Sequence, residues 1–354
     1  MVIIMKKQYF LFAIPSLFLS LASCSSGDDI RIKDFPVTNK ISGVAVEMSK
    51  PYMFVDMALA DSLLILSPVL EDTDQIHIFN KQTFHLLKTA GVVGRGPGEV
   101  TNPGLSYVCD NTMMVWLTDY GRRALLGFSL KDIVESSFTG FNTIVPLPES
   151  VFIITRFQAH PDNLFSFTDA GRPEYLISFF DTAQSLLDSL SVPDKLDLYS
   201  SGDVSVDRRM MQFNYVYSFN RDGERIAVAY RFSDVITILD NRGNILRKVT
   251  GPDFLEQKPG ESEREIMAYN CIYTDDMFIY ALYSNKPRFD SETNSIPQFA
   301  TTIHVFDWTG EPVARLLSDH TISSFVVDRE EGRIVTFCPT TGGLVWYEIP
   351  DMLK

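Results

Sequence analysis

The side chains able to do chemistry are few, and their spacing is unhelpful to catalysis. The five histidines are His77, His85, His160, His304 and His320. None belongs to an H-E-x-x-H or H-x-H pattern, so no helix face or strand offers two imidazoles to one metal ion. No G-x-S-x-G turn is present to raise a serine nucleophile. The run Glu71-Asp72-Thr73-Asp74 lacks the glycine and terminal glutamate of a calcium loop and reads as a solvated turn. Cys109, Cys271 and Cys338 fit no metal spacing and read as buried free thiols. No metal and no cofactor is expected. The polar residues left as ligand contacts are Arg95 and Glu99 in a glycine-rich turn, Arg156 and His160 near one another in sequence, and Arg208, Arg209 and Arg288 in long polar segments. Arg95 and Glu99 could equally pair or cap neighbouring backbone, and His160 beside Pro161 could be a plain loop residue.

Cys24 differs in kind. Lys6 and Lys7 precede an apolar run from Tyr9 to Leu21, followed by Leu21-Ala22-Ser23-Cys24. The run is too short for a transmembrane anchor and has the form of a targeting segment. Leu-Ala-Ser-Cys resembles the lipobox of bacterial lipoproteins, which implies cleavage before Cys24 and acylation of its thiol. The alternative is an ordinary secretory peptide cut near Ser23. Residues 1–23 are therefore assigned to a signal peptide and 24–40 to a polar tether. The acidic start Ser25-Ser26-Gly27-Asp28-Asp29 resembles a surface-export signal of Bacteroidetes lipoproteins, or is simply a solvated linker. An outer-membrane location follows, facing the periplasm or the cell surface. The net charge of −14 opposes nucleic-acid binding.

The elements that must position these residues repeat. Asp61–Ser67, Asn111–Thr118, Asp162–Thr168, Gly223–Tyr230, Asp275–Leu282 and Gly332–Phe337 each open an apolar hairpin. They recur about every 50–60 residues, the period of a propeller blade with variable loops. The strands are β-branched and aromatic, and no long stretch carries a helical period. The fold expected for residues 41–354 is all-β: a six-bladed β-propeller of four-stranded antiparallel blades. Innermost strands are predicted at Tyr52–Ala58, Gly104–Cys109, Val151–Gln158, Val216–Asn220, Asn270–Thr274 and Ser323–Val327. The last blade runs out after three strands, so the N-terminal strand Ile41–Met48 is predicted to close it and remove an exposed edge.

The stretch Gly91-Val92-Val93-Gly94-Arg95-Gly96-Pro97-Gly98-Glu99, then Asn102-Pro103, resembles the turn of TolB-like six-bladed propeller lipoproteins of Bacteroidetes. Val100 departs from it, since an aromatic is expected there. The resemblance implies the fold and says little about activity. The connections Gly91–Pro103, Pro193–Gln212, Gly251–Met267 and Ser284–Phe299 are long and all fall on the d–a and b–c side of the blades. The turns on the other side are predicted to be short. The expected function is a membrane-anchored, non-catalytic binding module presenting one loop-rich face to a protein, peptide or glycan. The rival is a propeller hydrolase or lyase acting at the central channel mouth.

Overall fold

Runs such as Leu63-Leu64-Ile65-Leu66 do not alternate polar with apolar because both faces of their sheets are covered. Successive side chains of a strand point to opposite faces. Leu63 and Ile65 join one core cluster with Val115 and Leu117, while Leu64 and Leu66 join another with Val326 and Val335. The computed structural model describes residues 29–68, 74–136, 138–151, 153–161, 164–169, 171–172, 175–183, 186–191, 215–254, 266–287 and 299–354.

Six sheets follow one another along the chain, five of them with strands a to d in sequence order. Blade 1 is Phe54–Ala60, Leu63–Pro68, Asp74–Asn80 and Leu86–Val92. Blade 2 is Pro103–Cys109, Met114–Asp119, Ala124–Ser129 and Thr143–Pro146. Blade 3 is Ile154–His160, Leu164–Asp169, Tyr175–Asp181 and Leu186–Ser191. Blade 4 is Tyr215–Phe219, Arg225–Tyr230, Val235–Asp240 and Ile245–Thr250. Blade 5 is Ile266–Thr274, Phe278–Pro287, Ala300–Asp307 and Pro312–Ile322. Blade 6 takes Ser324–Asp328, Arg333–Cys338 and Gly343–Glu348 from the end of the chain and Val44–Ala45 from its start. The a strands pack beside one another around the axis. Each of the six core clusters fills one gap between adjacent blades, so burial is spread around the ring rather than gathered at one centre.

The ring closes as the sequence predicts, with a shorter strand. Val44 and Ala45 pair antiparallel with Trp346 and Val345, and Val46 N–H donates to Leu344 O at 2.9 Å. Gly43 makes the approach possible, since a Cβ there would stand 2.8 Å from Tyr347 Cε1 and closer still to Val345. Asp319 latches the segment by accepting from Gly43 N–H at 3.0 Å and Ser42 Oγ at 3.0 Å. Across the same seam, the buried Lys81 ammonium of blade 1 donates to Glu330 at 2.6 Å and lies 3.5 Å from buried Asp328 of blade 6.

Three features differ from expectation. Residues 29–40, read as the end of a tether, are largely ordered against the propeller. Asp29–Arg31 runs parallel to Lys248–Thr250 of blade 4, and Thr38–Ile41 parallel to Arg315–Ser318 of blade 5. Ile32 and Phe35 between them bury their side chains, which fixes a segment that looks polar by composition. The short-turn face also carries one long connection. The c–d link of blade 2 contains the helix Leu130–Glu135, capped by Ser129 and anchored by buried Leu130 and Ile133. Last, Pro193–Gln212 and most of Gly251–Met267 and Ser284–Phe299 lie outside the described residues, as do Cys24, Arg208, Arg209 and Arg288. The strand ends that flank these segments are all on the d–a and b–c side.

Candidate channel-mouth site

The inner strands are irregular at one end. Register slips between Phe54 and Asp56 in blade 1, Pro103 and Ser106 in blade 2, and Ile154 and Arg156 in blade 3. Blade 5 slips twice, on either side of Tyr269, the second time at Asn270. A bulge leaves a residue unpaired and re-aims the side chains beside it. Here the slips lie near the starts of the a strands, at the loop-side end of the channel. They set half-buried Asp56, Ser106, Arg156 and Asn270 at that end. Arg231 joins them from the b–c turn of blade 4, where its carbonyl accepts from Ala268 N–H at 2.6 Å.

The electrostatics of this group are unbalanced. Burial pushes the Asp56 carboxyl up, and the Arg156 charge only partly offsets this. Burial, then the like charge of Arg156, pushes Arg231 down to about 10. Arg231 Nε and both amide atoms of Asn270 are buried with no hydrogen-bond partner among the described residues, as is the Ser323 hydroxyl at the start of blade 6. Cys271, next to Asn270, is half-buried, and burial followed by the Asp56 charge pushes its thiol up to about 11. It therefore stays protonated at neutral pH and is a poor nucleophile.

The other sequence candidates separate from this group. His160 ends its strand four residues beyond Arg156, about 13 Å along the strand at the opposite end of the channel. There its Nε2 lies 2.7 Å from Ser166 Oγ, which is 3.2 Å from the Tyr217 hydroxyl. Burial pushes His160 down to about 4, and Ser166 is fully buried. The pair has no carboxylate among its hydrogen-bond partners and no open path to the serine, so it reads as a packed polar bridge between blades 3 and 4. Glu99 folds back on its own turn and accepts from Gly96 N–H at 2.5 Å. Side chains at Gly94 or Gly96 would collide with that carboxylate, and Gly98 has a positive φ of 82°. Those glycines build the turn around Glu99, and Arg95 is exposed on it. His77 and His304 do occupy equivalent c-strand positions, in blades 1 and 5. His304 stacks on Tyr283 with ring centroids 4.2 Å apart, and His77 Nε2 lies 3.1 Å from Asp74 O. Among the described residues no group of histidine, cysteine and carboxylate side chains could hold a metal ion.

Sequence reasoning missed the aspartates that hold the mouth in shape. Asp119 accepts from the N–H groups of Thr101 and Asn102 at 2.9 and 3.2 Å and pairs with Arg122. Asp169 accepts from Ile153 N–H at 3.0 Å. Both brace the chain as it enters an inner strand. The signal was legible, since Thr118-Asp119 and Thr168-Asp169 end the b strands of consecutive repeats. Asp234 does similar work in blade 4 and accepts from Asp253 N–H at 3.0 Å and the Tyr269 hydroxyl at 2.8 Å.

A family model described as TolB-like 6-blade propeller-like matches residues 32–330. The chain belongs to this family. Solved structures superpose on it. A member of the DUF4221 family from Bacteroides vulgatus superposes with a TM-score of 0.59 at 11% identity, covering 88% of this chain and 96% of that one. A Bacteroides fragilis protein, whose name marks it as a candidate exported protein, gives 0.56 at 11% identity, with coverage of 90% and 98%. At that identity the likeness carries the fold. No curated protein matches the sequence significantly.

Proposed function

We propose that this TolB-like propeller is an exported, lipid-anchored binding protein whose loop-side channel mouth is its recognition site. The observation that carries the reading is the convergence of Asp56, Arg156, Arg231 and Asn270 from four blades. Buried polar groups are normally paired within the fold, and a bulged inner strand is a costly way to present ones that are not. Anchoring rests on Cys24, and export is supported by the apolar run before it and by the name of the Bacteroides fragilis neighbour. Among the described residues no helix is long and apolar enough to cross a membrane, which leaves the lipid as the proposed attachment to the outer membrane. The ligand is a protein, peptide or glycan, or a small molecule derived from one. A hydrolase or lyase reading would draw on Asp56 as an acid, because burial raises its carboxyl against the lowering effect of Arg156.

The test uses the intact lipoprotein and reads two outcomes. Cys24→Ala should move the chain from the detergent phase to the aqueous phase of a partition assay. Charge reversal at Arg208 with Arg209, or at Lys286, should weaken capture of the envelope ligand, while reversal at Arg221 or Arg242 on the opposite face should leave it intact. Capture lost only by the Arg221 and Arg242 variants would refute the choice of face. Retention of Cys24→Ala in detergent would refute the anchor.

A further inference from the structure

Two guanidinium groups share the mouth without a direct ion pair, although the Asp56 carboxyl lies within electrostatic reach of Arg156. Among the described residues neither Arg156 nor Arg231 has a carboxylate within ion-pair distance. This happens in a chain of net charge −14, where carboxylates are the most available partners. Elsewhere three half-buried arginines of the same chain are ion-paired. Arg122 pairs with Asp119, Arg315 with Asp34 at 3.1 Å and Arg329 with Asp275 at 2.7 Å. An arginine carries five donors and no acceptor, so its natural complement is a planar oxyanion. At the same end of the channel, both amide atoms of Asn270 and the Ser323 hydroxyl are buried without partners among the described residues.

Resting on the binding reading above, we propose that the channel mouth binds a small monoanion, through a carboxylate held by Arg156 and Arg231. A neighbouring hydroxyl or amide of the same molecule meets Asn270. A single carboxylate fits better than a polyanion. The local excess is one or two positive charges, and the field of a strongly acidic chain repels a highly charged polymer. The carboxylate must carry a hydrogen-bonding substituent, because a bare one would leave the buried Asn270 amide unpaired.

The test is calorimetric titration of the full lipoprotein in detergent with matched pairs. D-glucuronate is compared with D-glucuronamide, and N-acetylglycine with N-acetylglycinamide, so that each pair differs in the carboxylate alone. At least one carboxylate should bind ten-fold or more tightly than its amide. Arg156→Met or Arg231→Met should abolish that preference, with the fold checked by circular dichroism, and Arg242→Met should keep it. The pair that shows the preference separates a sugar acid from an acylated amino acid. Equal binding of acid and amide, no binding of either acid, tighter binding of inorganic phosphate, or a preference that survives both arginine variants would overturn the proposal. If these fail while face-specific capture persists, the ligand class is wrong and the binding role stands. If capture fails too, both fall.

Discussion

Asp119 of blade 2 and Asp234 of blade 4 both brace the loop-side end of the ring and titrate in opposite directions. At Asp119 burial works against the charge, but hydrogen bonds from Thr101 and from Arg122 outweigh it and lower the carboxyl from 3.8 to about 2. Its stabilising effect is complete above the unfolded value near 4 and fades as pH falls toward 2. At Asp234 burial dominates, and the Tyr269 and Asp253 hydrogen bonds do not compensate, so the carboxyl rises from 3.8 to about 6. A raised group stabilises the fold fully below the unfolded value, and that contribution is lost as pH climbs through 6. The Asp234 contribution should therefore be lost between about pH 4 and 6, and Asp234→Asn should flatten that slope by on the order of 1–3 kcal/mol. Urea midpoints across this range check it, and parallel curves for the two chains would contradict it. Residue roles of this sort were only partly legible. The Thr-Asp repeat was in plain view, but which carboxyl rises and which falls depends on donors contributed by other strands.

At the scale of elements, the closing strand was legible because Ile41–Met48 alternates and the last repeat lacks a fourth strand. The parallel additions Asp29–Arg31 and Thr38–Ile41 were not, since three or four residues of mixed burial carry no readable period. The helix Leu130–Glu135 hid for the same reason, being less than two turns long. The bulges were invisible for a deeper reason: a one-residue slip is defined by the partner strand, and the sequence of one strand does not record it. Closure gives a sharp test. Gly43→Val places atoms where Val345 and Tyr347 already stand, and overpacking of this kind costs about 1–3 kcal/mol. It should also free the N-terminal segment, so limited proteolysis should cut between residues 29 and 50 in the variant and spare the wild type. Equal resistance in both chains would show that Val44–Ala45 contributes little to the seam.

At the scale of the whole molecule, six repeated hairpins with apolar strands dictate a ring whose stability is distributed over six inter-blade cores. Such a scaffold tolerates irregular inner strands at one end, because no single blade holds the fold together. The architecture was legible in the repeat. The site was legible in the inner-strand residues Asp56 and Arg156, whereas Arg231 and Asn270 are ordinary residues in sequence and become notable when the ring brings them to the same end of the channel. The loop-side bias also proved looser than expected, given the helical link of blade 2 on the opposite face.

A site kept for a ligand is a liability to the empty fold, and this supplies the most direct measurement. The thermal midpoint and the ligand affinity of the double variant Arg156→Met with Arg231→Met should be measured together, on the same preparation. Two unpaired, like-charged groups leave the mouth and are replaced by apolar side chains of similar length. The midpoint should rise by a few degrees, corresponding to about 1 kcal/mol or more, while ligand binding is lost. A midpoint that falls, with binding unchanged, would mean that the two arginines hold the propeller together and that the channel mouth is not its recognition site.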